Sequence, residues 1–209
     1  MATDRYLEMK NRALKLKKLF APKTQNVSGI YRNSTKERIY SFSVLTHATI
    51  EEYIENEVRF IAEESHRKWK DVGYISLPLL AMMCRREGGD VGFSDDVFDI
   101  SSKRELRTIV THSFIQCKSR IDANHGIRKN NISKLFMNIG FSPSGACEAI
   151  IGSLDAFGQK RGDYAHKAPT ETLLRETDPY TEALETIRLI EEIEVLDGEI
   201  SNYRDDQGL

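Results

Sequence analysis

The chain has 209 residues, a formal net charge of −2 and 40% hydrophobic residues. This length favours one domain with elaborations over two full domains. The charge excludes a strongly basic nucleic-acid coat protein, although it leaves room for a nucleic-acid enzyme with a local basic cleft. The three cysteines are widely spaced without a Cys-x-x-Cys motif, and neither a long apolar run nor a signal peptide is recognisable. We therefore expect free thiols in a soluble, cytoplasmic protein.

The first part of the chain predicts two long helices. Residues 4–20 have helical spacing behind a cap at Thr3 or Asp4, and a linker rich in turn formers follows. Residues 34–37 (Ser-Thr-Lys-Glu) have the form of a capping box. Apolar residues then recur at helical spacing, so the second helix is expected to run to about residue 70.

The rest of the chain predicts further helices and one loop, which is the Gly- and Asp-rich stretch at residues 87–100. The predicted helices are residues 77–86, a helix from Ser101 or Ser102, residues 130–139, a helix from Ser142-Pro143 and a helix from Asp178-Pro179. The inner face of the helix from Ser101 or Ser102 is expected to hold Leu106, Ile109, Val110, Phe114, Cys117 and Ile121. Because no alternating strand pattern occurs, the predicted class is all-α.

The helix that follows Pro143 carries Arg161 on its apolar stripe. At 100° per residue, Arg161 is aligned with Leu154 and Phe157. An unpaired buried charge costs several kcal/mol, so the guanidinium needs a partner. That partner is either a carboxylate inside the fold or an anion in a cleft or interface. His166 follows five residues later, about 140° further round the helix axis.

The spacing of this Arg and His is not specific by itself, because similar pairs begin at Arg59, Arg107 and Arg120. The pair at Arg59 lies in a highly charged segment, the pair at Arg107 inside an amphipathic helix, and the pair at Arg120 before a turn. Arg161 differs from them because it combines the apolar stripe with a His close to a helix stop at Pro169. We therefore take Arg161 and His166 as the candidate pair.

With these motifs the chain resembles the HEPN superfamily of small helical-bundle proteins, and its RiboL-PSP branch in particular. The resemblance rests on residues 47–53 (HATIEEY), 126–140 (GIRKNNISKLFMNIG) and 161–166 (RGDYAH), the last fitting the family's Arg-x4–6-His motif. It implies a bundle of about four to five core helices, with an inserted middle segment at 71–100 and an extra N-terminal helix. The implied regions are a basic helix and linker at 1–34 and a HEPN-like domain at 35–209.

Many HEPN proteins are metal-independent ribonucleases, so the resemblance implies an endoribonuclease that needs no cofactor. RNA carries its own nucleophile, the 2′-OH. His166 would move the protons, since imidazole titrates near neutrality, and Arg161 would stabilise charge on the phosphorane oxygens. The expected ends are 2′,3′-cyclic phosphate and 5′-OH. One His cannot easily act on both sides of the phosphorus, so we expect a homodimer that brings two such pairs into one cleft.

Six further residues are expected near this site. Glu51 either pairs with Arg161 or supports its catalytic role. Asp163 is a candidate to orient the pair, and Tyr164 either contacts the RNA or packs. Contacts to the RNA backbone are expected from Lys160, Lys167 and Arg128. No cluster of His, Cys or acidic residues has ligand spacing, so no metal site is expected.

One departure from the family pattern leaves a second hypothesis open. The family usually has Asn, Asp or His directly after the Arg, whereas Gly162 stands there. The alternative is a non-catalytic module that binds or scaffolds a partner protein or a nucleotide, in which Arg161 forms a structural ion pair with Glu51. The catalytic hypothesis would fit a toxin or an anti-phage defence effector. Its partners would be RNA, a second copy of the chain and an antitoxin or other inhibitory protein, with no membrane.

Overall fold

The structure, a computed structural model, describes residues 2–85, 100–166 and 178–209, with residues 100–104 and 163–166 described by their backbone alone. These residues form helices and no strand, which confirms the predicted all-α class. The helices are α1 (Asp4–Phe20), α2 (Asn33–Val72), α3 (Leu77–Cys84), α4 (Ile100–Asp122), α5 (Lys129–Asn138), α6 (Gly145–His166) and α7 (Pro179–Asp206). Within the described ranges, no helix has the length and apolarity that a membrane span requires. The loop predicted at 87–100 lies outside the description except for Ile100, which is helical.

Capping side chains explain where two of the helices begin. Thr3 Oγ1 accepts a hydrogen bond of 3.2 Å from the backbone N–H three residues later, and Asp178 Oδ1 accepts one of 2.8 Å in the same way. Each cap satisfies a donor that the helix cannot satisfy itself, as the sequence predicted. At the start of α2, the carbonyl of Arg32 accepts hydrogen bonds from the N–H groups of Thr35 and Lys36. Ser34 therefore lies inside the helix, which begins at Asn33, and the prediction of Ser34 as its cap is wrong.

One compact unit of the fold consists of Met1–Ile54, Gly126–Ile132 and Pro143–Ser201. In this unit α1 is bonded to α7 through the carboxylate of Asp197, which is buried. Asp197 accepts hydrogen bonds from the Thr3 backbone N–H at 2.8 Å, the Thr3 hydroxyl at 2.6 Å and the Tyr53 hydroxyl at 2.7 Å. A buried carboxylate needs such donors to offset its lost hydration. These bonds therefore fix α1 and α2 to the same point of α7.

The other compact unit consists of Glu55–His125, Ser133–Ser142 and Asn202–Leu209. Gly140 follows α5 with a φ of +69°, a left-handed conformation that ends the helix at little cost for glycine, where the sequence predicted the stop. On α4, four of the predicted inner-face residues are buried: Ile109, Val110, Cys117 and Ile121. Leu106 is exposed, so its prediction as an inner-face residue is wrong. Its side chain borders a surface groove formed with α2 instead of entering the core.

Candidate active site

The helix α6 holds Arg161 at the edge of the core. Ile150, Leu154 and Phe157 are buried along one stripe of the helix. Arg161 comes next on this stripe, and its side chain is half-buried. This agrees with the position that the helical spacing predicts. The apolar stem of an arginine can be covered in this way while its guanidinium reaches a surface or cleft.

The Nε atom of Arg161 is buried and has no hydrogen-bond partner in the described part of the chain. No described carboxylate forms an ion pair with this guanidinium. Leaving a buried donor unmatched costs about 1–3 kcal/mol, and more for a charged group. A ligand that accepts a hydrogen bond from this Nε would remove the cost.

His47 on α2 is the residue of this site that the sequence did not single out. It is buried, and its ring centroid lies 6.3 Å from that of Phe157. Burial, with a smaller contribution from the Arg161 charge, lowers the pKa of His47 from 6.5 to about 4. The imidazole is therefore neutral at pH 7 and adds no second positive charge beside the guanidinium. The sequence did contain a signal that His47 lies at the site, since this residue opens the segment 47–53 and comes one helical turn before Glu51.

Glu51 contacts His47 and a turn rather than Arg161. Its Oε2 lies 3.6 Å from His47 Nδ1, which is too long for a hydrogen bond, and this Nδ1 has no bond partner among the described atoms. Because the imidazole is neutral, the contact is not an ion pair. The other carboxylate oxygen accepts a hydrogen bond from the Gly126 backbone N–H. Of the two roles considered for Glu51, the ion pair with Arg161 is therefore not formed between these two described side chains.

The turn at Gly126 brings a second predicted segment to the site. Its φ is +100°, which residues with side chains rarely adopt, and a Cβ added there would lie 3.6 Å from His47 Cε1, an ordinary contact. The conformation, not the space, therefore favours glycine. Asn131 Nδ2 donates to the Gly126 carbonyl at 3.4 Å. The segment 47–53 and the start of the segment 126–140 thus meet around His47, and Arg161 from the third segment lies near enough to affect the pKa of this imidazole.

Two of the cations predicted to contact RNA have partners within the chain. Lys160 Nζ pairs with Glu182, whose side chain is 5% exposed. Arg128 Nε donates to Asp155 Oδ1 at 2.7 Å, and both side chains are partly exposed. An RNA phosphate would have to compete with these carboxylates. Lys167 lies outside the described residues.

The last turn of α6 is described by its backbone alone. The helix passes through Gly162 without interruption and reaches His166. The side chains of Asp163, Tyr164 and His166 lie outside the described part of the structure. A Cβ added at Gly162 would meet no described atom within 4 Å, so packing against the described residues does not require glycine there.

These contacts leave the positive charge of Arg161 unneutralised by the side chains that the structure describes. His47 is neutral, and the carboxylate of Glu51 is engaged by the Gly126 turn. A planar guanidinium in such surroundings matches the oxygens of a phosphate or carboxylate. Over the described side chains, no group of three or more His, Cys, Asp or Glu residues is arranged to hold a metal ion.

The described residues form helices and no strand, and α6 carries an Arg-x4-His motif near its end, as members of the HEPN superfamily do. More narrowly, a family model described as RiboL-PSP-HEPN matches residues 7–202, so the chain belongs to that family. The match begins inside α1, in the region 1–34 that the resemblance placed before the HEPN-like domain, and it runs through residues 71–100. Comparisons with curated proteins and with solved structures gave no match. Membership of the family suggests an RNase-like module.

Proposed function

We propose that the protein is a metal-independent endoribonuclease in which Arg161 and His166 act on the scissile phosphate. The observation that carries this proposal is the buried Arg161 Nε, which has no acceptor among the described residues. A phosphate oxygen would supply that acceptor. A preorganised donor of this kind stabilises the charge that develops on the phosphorane during attack by the 2′-OH.

The surroundings of Arg161 support an anion site over a structural ion pair. The alternative, a non-catalytic module, required Glu51 to neutralise the guanidinium, and Glu51 instead accepts from the Gly126 N–H. His47 does not compete for the anion as a second cation, because its pKa is lowered to about 4. A base with so low a pKa is also poorly matched to proton transfer at pH 7. This leaves His166 as the imidazole of the site with a proposed catalytic role.

Two proton transfers accompany the cleavage that we propose. One group removes the proton of the 2′-OH, and another protonates the leaving 5′-oxygen on the opposite side of the phosphorus. A homodimer that brings two Arg161/His166 pairs to one cleft would provide both. Such an RNase would also need restraint by an inhibitory protein, as in a toxin or a defence effector.

The test is incubation of total RNA with the purified full chain in EDTA, with analysis of the new ends. We expect 2′,3′-cyclic phosphate and 5′-OH ends, no cleavage of DNA, and loss of at least about 100-fold in rate for Arg161→Ala and for His166→Ala. Matched controls are Arg188→Ala and His112→Ala, which change exposed residues of the same types. Intact RNA at high enzyme concentration, or full activity of His166→Ala, would contradict the proposal.

A further inference from the structure

The second compact unit has a surface groove that is lined by aromatic and basic side chains. It lies between the C-terminal part of α2 and the N-terminal part of α4 and has a volume of about 610 Å³. We call it the Trp69 groove. The described residues that line it include His66, Trp69 and Lys70 from α2 and Leu106, Arg107 and Thr111 from α4. Its volume is within the range of about 300–1,000 Å³ that is usual for small-ligand sites.

One wall of the Trp69 groove is aromatic and held in place from behind. The His66 ring stacks on Phe114 with centroids 4.3 Å apart and planes within 2°. The Trp69 ring lies 6.3 Å from His66 at an interplanar angle of 30°. Burial and the Lys70 charge lower the pKa of His66, which favours an uncharged ring at pH 7. The wall therefore offers flat, largely neutral π surfaces that are fixed before a ligand arrives.

The cations of the groove come from both helices and are unpaired among the described residues. Lys70 on α2 and Arg107 on α4 are exposed, and neither forms a hydrogen bond or an ion pair with another described residue. A neighbouring cation behaves differently, since Lys118 pairs with Glu63 at 3.1 Å. None of the described residues that line the groove is acidic. The groove therefore carries positive charge that the described part of the protein does not neutralise.

We infer that the Trp69 groove binds a nucleotide unit of single-stranded RNA, with the base stacked on Trp69 and the phosphate at Arg107 and Lys70. Stacking of a base on an aromatic side chain contributes about 1–3 kcal/mol without selecting the base. Lys and Arg provide the affinity for phosphate and make it dependent on salt. This inference rests on the proposed function in one respect, because the bound RNA would be the substrate of the proposed cleavage. The groove belongs to the other compact unit, and Arg161 is not among the described residues that line it.

Trp69 is the only tryptophan of the chain, so its fluorescence reports directly on this groove. The experiment titrates the full chain with a short 2′-O-methyl RNA oligomer, which cannot be cleaved, and in parallel with AMP and UMP. We expect saturable quenching by the oligomer that weakens with added salt. Arg107→Ala should raise the Kd about tenfold. Lys134→Ala, which removes an exposed cation outside the groove in the same unit, should change the Kd less than about twofold.

The outcomes separate this inference from the proposed function. Absence of quenching by the oligomer and by both mononucleotides overturns the inference, as do equal losses of affinity in the Arg107 and Lys134 variants. Mononucleotides that bind as tightly as the oligomer would overturn the assignment to RNA, because the ligand of the groove would then be free nucleotide. If the oligomer quenches Trp69 but the chain cleaves no RNA, the inference about the groove holds and only the proposed function is contradicted. If the chain cleaves RNA without any quenching, the proposed function holds and the inference about the groove is contradicted.

Discussion

Replacing Arg161 with methionine is expected to stabilise the protein while removing its activity toward RNA. The guanidinium Nε is buried without a described acceptor, and an unmatched buried donor costs about 1–3 kcal/mol. Methionine keeps much of the apolar stem that α6 presents to the core, so little packing is lost. Because Arg161 is half-buried rather than sealed, we take the low end of this range, a gain of about 1 kcal/mol.

Thermal unfolding followed by far-ultraviolet circular dichroism measures this gain. For a chain of this size, about 1 kcal/mol corresponds to a rise of about 2–4 °C in Tm. The matched control is Arg128→Met, which breaks the 2.7 Å pair with Asp155 between two partly exposed side chains. Exposed pairs contribute about 0–1 kcal/mol, so the control should leave the Tm unchanged or lower it slightly. The two substitutions are therefore expected to differ in sign.

A fall of several degrees in the Tm of Arg161→Met would refute this reasoning. It would mean that a carboxylate neutralises Arg161 in the folded protein and that the residue is structural. A second measurement is independent of the first. An uncleavable RNA oligomer should raise the Tm of the wild type, because a ligand that binds only the folded state stabilises it. In Arg161→Met this rise should be smaller.

Three further predictions concern stability. Gly126→Ala should cost about 1–3 kcal/mol in urea unfolding, because φ at this position is +100°. Asp197→Ala should cost about 3 kcal/mol or more in the same assay, because three hydrogen bonds to this buried carboxylate are lost. The folded pKa of His47 is about 4 against an ordinary 6.5, so as the pH falls through this window the unfolded chain takes up the proton first. The free energy of unfolding of the wild type should therefore fall by up to about 3 kcal/mol over this pH range, and that of His47→Gln should not show this fall. Parallel curves of unfolding free energy against pH for the two proteins would contradict this.

The sequence allowed local features of the fold and of the site to be predicted, because each of them depends on the spacing of residues within one helix. The caps at Thr3 and Asp178 and the stripe that ends at Arg161 each follow from residues a few positions apart. Ser34 shows the limit of such signals, because a residue that suits a cap is also tolerated in the first turn. Leu106 shows another, since periodicity identifies an apolar face without saying how far along the helix that face is covered.

The contacts that define the surroundings of Arg161 could not be predicted in this way, because they join distant parts of the chain. Glu51 bonds to a turn 75 residues away. The sequence shows that Glu51 carries a charge that could neutralise Arg161. It does not show which of two donors, the Arg161 guanidinium or a backbone N–H, this carboxylate accepts from. The same holds for Lys160, whose pairing with the buried Glu182 depends on how α6 meets α7. Lys160 was predicted to contact RNA because of its positive charge, but the sequence does not show that this charge is already paired within the chain.

The lowered pKa of His47 also gives a direct way to detect an anion at Arg161. Burial is the larger cause of the shift and the positive charge of Arg161 the smaller. A bound phosphate would offset that charge and favour the imidazolium, so the pKa of His47 should rise when the site is filled. By linkage, the anion should bind more tightly as the pH falls toward the pKa of His47. Nuclear magnetic resonance of the His47 ring with and without an uncleavable oligomer measures the change. An unchanged pKa at saturating oligomer would mean that the anion does not bind at Arg161.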